Sequence, residues 1–118
     1  MTTYDEFQRA RMFFDARDYI SASRILAPVA EAEPRNGAVA ELLARAYFHS
    51  AQLGRAEDAF HRLIDLDPGN GWAYEALART LERRNNPAEA TRYRKLAAAM
   101  GITPTEEIEV SVTAANLA

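Results

Sequence analysis

The chain has 118 residues, 48% of them apolar, no cysteine, and a formal net charge of −3. That length and apolar share suffice for one compact domain and argue against disorder. The missing cysteines exclude a disulfide framework and a thiolate metal site. The whole net charge falls in residues 105–118, where Glu106, Glu107 and Glu109 meet no Lys or Arg. The preceding residues balance, so the basic excess of a nucleic-acid binder is absent.

The opening stretch, MTTYDEFQRARMFF, carries charges throughout and lacks the apolar core of a secretory signal. No run approaches the length of a membrane span, so the expectation is a cytoplasmic protein without a membrane partner. Ala10, Phe13, Tyr19, Ala22 and Leu26 are spaced as on two consecutive amphipathic helices that end at Pro34. Pro28 lies inside the second of these. It removes a backbone hydrogen bond and is expected to bend the helix near Arg24.

The next unit is the clearest. Residues 38–50 and 55–66 are apolar at helical spacing, separated by AQLG at 51–54, where Gly54 suits a turn. EPRNG at 33–37 precedes this unit and DPGNG at 67–71 follows it, with their prolines 34 residues apart. Each phrase reads as punctuation. The proline disfavours helix in the residue before it, and Asn36 or Asn70 can cap the helix that comes next.

GAVAELLAR at 37–45 recurs as GWAYEALAR at 71–79 on the same 34-residue period. Further columns follow it: Phe13, Tyr47 and Leu81; Ala22, Ala56 and Ala90; and, more weakly, Leu26, Phe60 and Arg94. In the third unit NNPAE offers Asn86 as a cap, Pro87 at the first helical position and Glu89 three residues beyond Asn86, a capping-box pattern. Gly101 suits the last helix end and Pro104 stops the run. After it Ile108, Val110 and Val112 alternate with Glu107, Glu109, Ser111 and Thr113, which is strand-like.

The columns resemble the tetratricopeptide repeat, a 34-residue helix–turn–helix unit. Leu43-Ala44, Tyr47, Ala56, Phe60 and Pro68 match its pattern closely, and the outer units match it loosely. The resemblance implies an all-α fold: a solenoid of three repeats (about 3–36, 37–70 and 71–104) and six helices, with an acidic segment at 105–118. It also implies a non-enzymatic module that binds a partner protein or peptide in a concave groove.

Helical periodicity gives each first helix two faces. In the second repeat Ala40, Leu43, Ala44 and Tyr47 share one. Ala38, Glu41, Arg45, Phe48 and His49 share the other, which the resemblance assigns to the groove. Carried across the repeats, the expected binding residues are Tyr4, Phe7, Arg11 and Phe14; Glu41, Arg45, Phe48 and His49; and Trp72, Glu75, Arg79 and Arg83. Arg11, Arg45 and Arg79 would form a ladder, either holding acidic groups of a ligand or pairing locally as Glu41–Arg45 and Glu75–Arg79. Some members of the family clamp chaperone C-termini with a Lys/Asn/Arg set. The matching positions here are Phe7, Arg11, Leu42, Trp72 and Ala76, and Arg11 alone could serve, which argues against that ligand.

No catalytic constellation, phosphate-cradling loop or metal-ligand spacing stands out, so no cofactor is expected. His49 and His61 lie on different helices. The rival expectation is a homodimer formed through the aromatic face, a bare last helix bearing Tyr93, Leu96 and Met100, or a swapped 105–118 segment. In a monomer that segment is expected to dock on the third repeat.

Overall fold

The computed structural model describes residues 2–102. These form six helices in the order α1 (Thr3–Asp15), α2 (Tyr19–Ala32), α3 (Gly37–His49), α4 (Leu53–Leu66), α5 (Gly71–Arg83) and α6 (Pro87–Ala99). Each helix packs against its neighbours in the chain, and α1 also touches α3. This is the three-repeat tetratricopeptide-type solenoid. The strand-like pattern at 108–113 and the docking of residues 105–118 lie outside the described residues.

The 34-residue period has a packing cause. Ala10, Ala44 and Ala78 are fully buried on the first helices, and Ala22, Ala56 and Ala90 are buried on the second helices. With one methyl group at each crossing, paired helices approach closely, since interaxial distance follows the side chains at the contact. Around these crossings lie two clusters. One joins α1, α2 and α3 through Phe14, Leu26, Val39, Leu42 and Leu43. The other joins α3 to α6 through Phe48, Phe60, Leu63, Leu77 and Leu81. Burying a side chain such as Phe60 or Leu77 contributes about 1.5–3 kcal/mol.

The turn inside each repeat is also periodic. Arg17, Ala51 and Asn85 follow α1, α3 and α5 with φ of 66°, 61° and 62°. At each of them the next residue's amide reaches back to the helix: Asp18 to the Phe13 carbonyl, Gln52 to Tyr47 and Asn86 to Leu81. These are Schellman ends built without glycine. The turn expected at Gly54 is therefore made by Ala51, and Gly54 falls in the first turn of α4.

Between repeats, the Asn36 amide donates to the Glu33 carbonyl and the Asn70 amide to that of Asp67. Pro34 and Pro68 hold the second position of these turns, which suits their fixed φ. Asn36 and Asn70 cap as expected, accepting from the amides of Val39 and Ala73. Asn86 precedes α6 but makes no side-chain cap bond. The capping box sits instead at Thr2 and Asp5, opening α1. Helix α2 runs continuously through Pro28. Pro28 and Arg24 both lie on its exposed side, where water can meet the carbonyl that proline leaves unbonded.

Candidate peptide-binding face

The expected binding residues come from α1, α3 and α5, and the structure sorts them by accessibility. Tyr4 is 70% exposed. Arg11 and Arg83 are exposed, while Phe7, Glu41, Arg45, His49, Trp72 and Arg79 are half-buried. Phe14, Phe48 and Glu75 are buried, which corrects the expectation that they line a groove. Phe14 packs edge-on to Tyr19, with ring centroids 5.1 Å apart, and Tyr19 stacks on His49 at 4.9 Å. The first residue of α2 thus covers the end of α1, a contact that a single-helix projection cannot show. Phe48 is 5% exposed and belongs to the second core cluster. Arg83 caps it, with the guanidinium 4.9 Å above the ring and a hydrogen bond donated to the Phe48 carbonyl at 3.4 Å.

Glu75, which pairs with Arg79 in one of the two alternatives for the arginine ladder, is held by Arg94 of α6. The Arg94 Nε lies 3.2 and 3.3 Å from the two carboxylate oxygens of Glu75. Its two terminal nitrogens donate to Glu82, each at 2.8 Å. Those bonds hold the Glu82 carboxyl below its ordinary range and keep Arg94 fully charged. The signal for this was in the sequence. Arg94 stands in the column of Leu26 and Phe60, both fully buried. A cation in a core column requires a carboxylate opposite it.

What remains accessible is a cationic surface around Trp72. Arg45 lies 4.1 Å from the centroid of the Trp72 ring and 3.3 Å from the Glu41 carboxylate. Such stacking is worth about 0.5–2 kcal/mol, depending on desolvation. Arg11, Arg79 and Arg83 form no ion pair among the described residues. Trp72 Nε1 and Arg79 Nε are buried and meet no acceptor among those residues. Buried donors without acceptors are uncommon in native proteins. Trp72 and Arg79 are two helical turns apart, so both donors stand on one side of α5, about 10 Å apart along its axis. Tyr4 and Arg11 stand apart from this group on α1.

Two clefts, of about 220 and 490 Å³, lie between α2 and α4 and share Ala27, Tyr47 and Arg55. None of the expected binding residues lines them. Among the described residues, no group of three or more His, Asp or Glu is placed to hold a metal, and no helix is long and apolar enough to cross a membrane.

No family model and no curated protein matches the chain. Solved structures do. MamA AMB-1 superposes with a TM-score of 0.78 at 26% identity, covering 81% of this chain and 57% of that one. MamA MSR-1 gives 0.74 at 27% identity, covering 78% and 53%. The chain folds as a tetratricopeptide-type helical-repeat solenoid. MamA 41-end from Desulfovibrio magneticus RS-1 shares that fold, with a TM-score of 0.76 at 21% identity over 81% and 54% of the two chains. This chain spans little more than half the length of these three neighbours.

Proposed function

We propose that the protein is a non-enzymatic adaptor whose α1–α3–α5 face holds an extended partner segment bearing carboxylates and apolar groups. The carrying observation is the cationic surface beside Trp72, where Arg83 is exposed and neither Arg79 nor Arg83 has an ion pair among the described residues. Carboxylate oxygens complement these guanidinium groups. Around them, Arg45 and the Trp72 ring supply charge and a flat apolar surface, the residue types that dominate binding energy at interfaces. A phage-displayed peptide selection tests the reading. Wild-type protein should enrich acidic sequences with interspersed Ile, Val or aromatic residues, and Arg45→Ala/Arg83→Ala should lose that enrichment. Selection of basic peptides, or the same set from both proteins, refutes it.

Self-association is the second reading. Met12, Phe13 and Ile20 are exposed at the first-repeat end, as are Leu96 on α6 and Met100 just past its end. Two members of the aromatic face expected to drive a dimer, Phe14 and Phe48, are buried in the core. Light scattering that gives a concentration-independent monomer mass removes this reading.

A further inference from the structure

We infer that residues 105–118 of this same chain occupy the α1–α3–α5 face as an intramolecular ligand that outside partners must displace. The inference rests on reading that face as a peptide-binding surface. Three observations carry it.

The first is where the chain goes after α6. Gly101, at φ +88°, ends that helix, and the amides of Gly101 and Ile102 donate back to the carbonyls of Ala98 and Ala97. This Schellman turn reverses the chain and sets Ile102 against Gly71, the first residue of α5. A Cβ on Gly71 would stand 2.7 Å from Ile102 Cγ1 and 3.1 Å from Met100 Cβ. The equivalent Gly37, one repeat earlier, has nothing within 4 Å of its Cβ position. The close approach is absent at Gly37, and it brings the chain to the N-terminal end of α5.

The second is charge. The segment holds Glu106, Glu107 and Glu109 and no Lys or Arg. The face it is delivered to holds Arg79 and Arg83, which have no ion pair among the described residues.

The third is reach and pattern. The three glutamates lie four to seven residues beyond Ile102, about 13–25 Å of extended chain. Arg79 is roughly 12 Å along α5 from Gly71. In an extended chain, Glu107 and Glu109 fall on one side and Ile108, Val110 and Val112 on the other. One strand thus offers carboxylates to the guanidinium groups and aliphatic groups to a ring surface. A tether this short gives an effective concentration on the order of millimolar, so even a weak intramolecular contact competes with partners.

The chain has one tryptophan and no cysteine, so energy transfer can be read cleanly. In the full chain carrying Ala115→Cys labelled with a fluorescent acceptor, Trp72 should transfer efficiently at low salt. Transfer should fall at least twofold in 1 M salt, in Glu106→Gln/Glu107→Gln/Glu109→Gln, and in Arg79→Gln/Arg83→Gln, and should not change on hundredfold dilution. Transfer that ignores salt and both sets of substitutions overturns the inference. Transfer that falls on dilution also overturns it, because the occupant is then a second copy. The acidic peptides selected above separate this outcome from the proposed function. They should bind the triple glutamine variant about tenfold more tightly than the unaltered chain. Equal binding to both leaves the face a peptide site and removes its intramolecular ligand. Binding to neither removes both.

Discussion

Arg94→Leu should be among the most destabilising single changes available outside the aliphatic core. Glu75 is 1% exposed, and Arg94 is its one ion-pair partner among the described residues. Removing the guanidinium leaves a buried carboxylate that must turn to Arg79, one helical turn along α5, or take up a proton. Breaking a buried pair in this way costs about 3–5 kcal/mol. The Glu82 arm adds little, about 0–1 kcal/mol, because Glu82 is 49% exposed and water replaces the lost partner. A domain of this size shifts its midpoint by roughly 4 °C or more per kcal/mol, so thermal unfolding followed by circular dichroism should show a loss of about 12 °C or more. The companion variant, Arg94→Phe/Glu75→Leu, restores the column of Leu26 and Phe60 and removes both buried charges. Replacing a buried pair by apolar groups is often neutral or stabilising, so this double variant should recover most or all of the loss. If Arg94→Leu stays within about 1 kcal/mol of wild type, or the double variant is no better than the single one, the pair does not hold α6 on α5.

Three further outcomes follow from the same geometry. Gly37→Ala should stabilise by about 0.4–1 kcal/mol in urea unfolding, through reduced freedom of the unfolded chain. Gly71→Ala should fail to gain this, because its methyl group meets Ile102 and Met100; equal gains at both sites would deny the close approach. Ala51→Gly should stabilise by about 0.5–1 kcal/mol, since a left-handed alanine costs more than the freedom glycine adds, and a lower melting temperature would count against the Schellman reading. The carboxyls of Glu82 and Asp18 are held below their ordinary values of 4.5 and 3.8, the first by hydrogen bonds from Arg94 and the second by the Ser21 hydroxyl and amide. A depressed folded pKa gives stability that is present above the ordinary value and lost as pH falls through the folded one. Melting temperature should therefore drop below about pH 4.5, and Glu82→Gln should flatten that drop; an unchanged acid slope would refute the assignment.

The solenoid was legible because its packing repeats. Alanine at 10, 44 and 78 and again at 22, 56 and 90 marks each crossing, and Pro34-to-Asn36 and Pro68-to-Asn70 mark each junction. What the sequence hid were contacts between elements. A helical projection puts Phe14 and Phe48 on the same side as Arg11 and Arg45, yet Tyr19 covers one and Arg83 the other. The same projection groups Glu75 with Arg79, while the deciding partner, Arg94, comes from the next helix. Turn chemistry misled at Gly54, because the residue that takes positive φ is Ala51, an alanine with no sequence signature for it.

Arg11, Arg45 and Arg79 share a column, but a column fixes only position. Arg11 stands exposed on α1. Arg45 is paired with Glu41 and stacked on Trp72. Arg79 is half-buried with its Nε lacking an acceptor, and its charge helps hold down the Glu82 carboxyl. The differences come from residues that do not repeat. Position 72 is Trp where position 38 is Ala, and position 94 is Arg where position 60 is Phe. By drawing Glu75 into a buried pair, Arg94 removes the carboxylate that would otherwise neutralise Arg79 one helical turn away. The break in the core column and the cationic character of α5 are then one arrangement. Binding strength should accordingly concentrate at the α3–α5 junction and fade towards α1. Arg11→Ala should weaken peptide binding less than Arg79→Gln does, measured by titration on variants of matched stability. A larger loss at Arg11 would place the ligand on the first repeat and break the link between α6 packing and recognition.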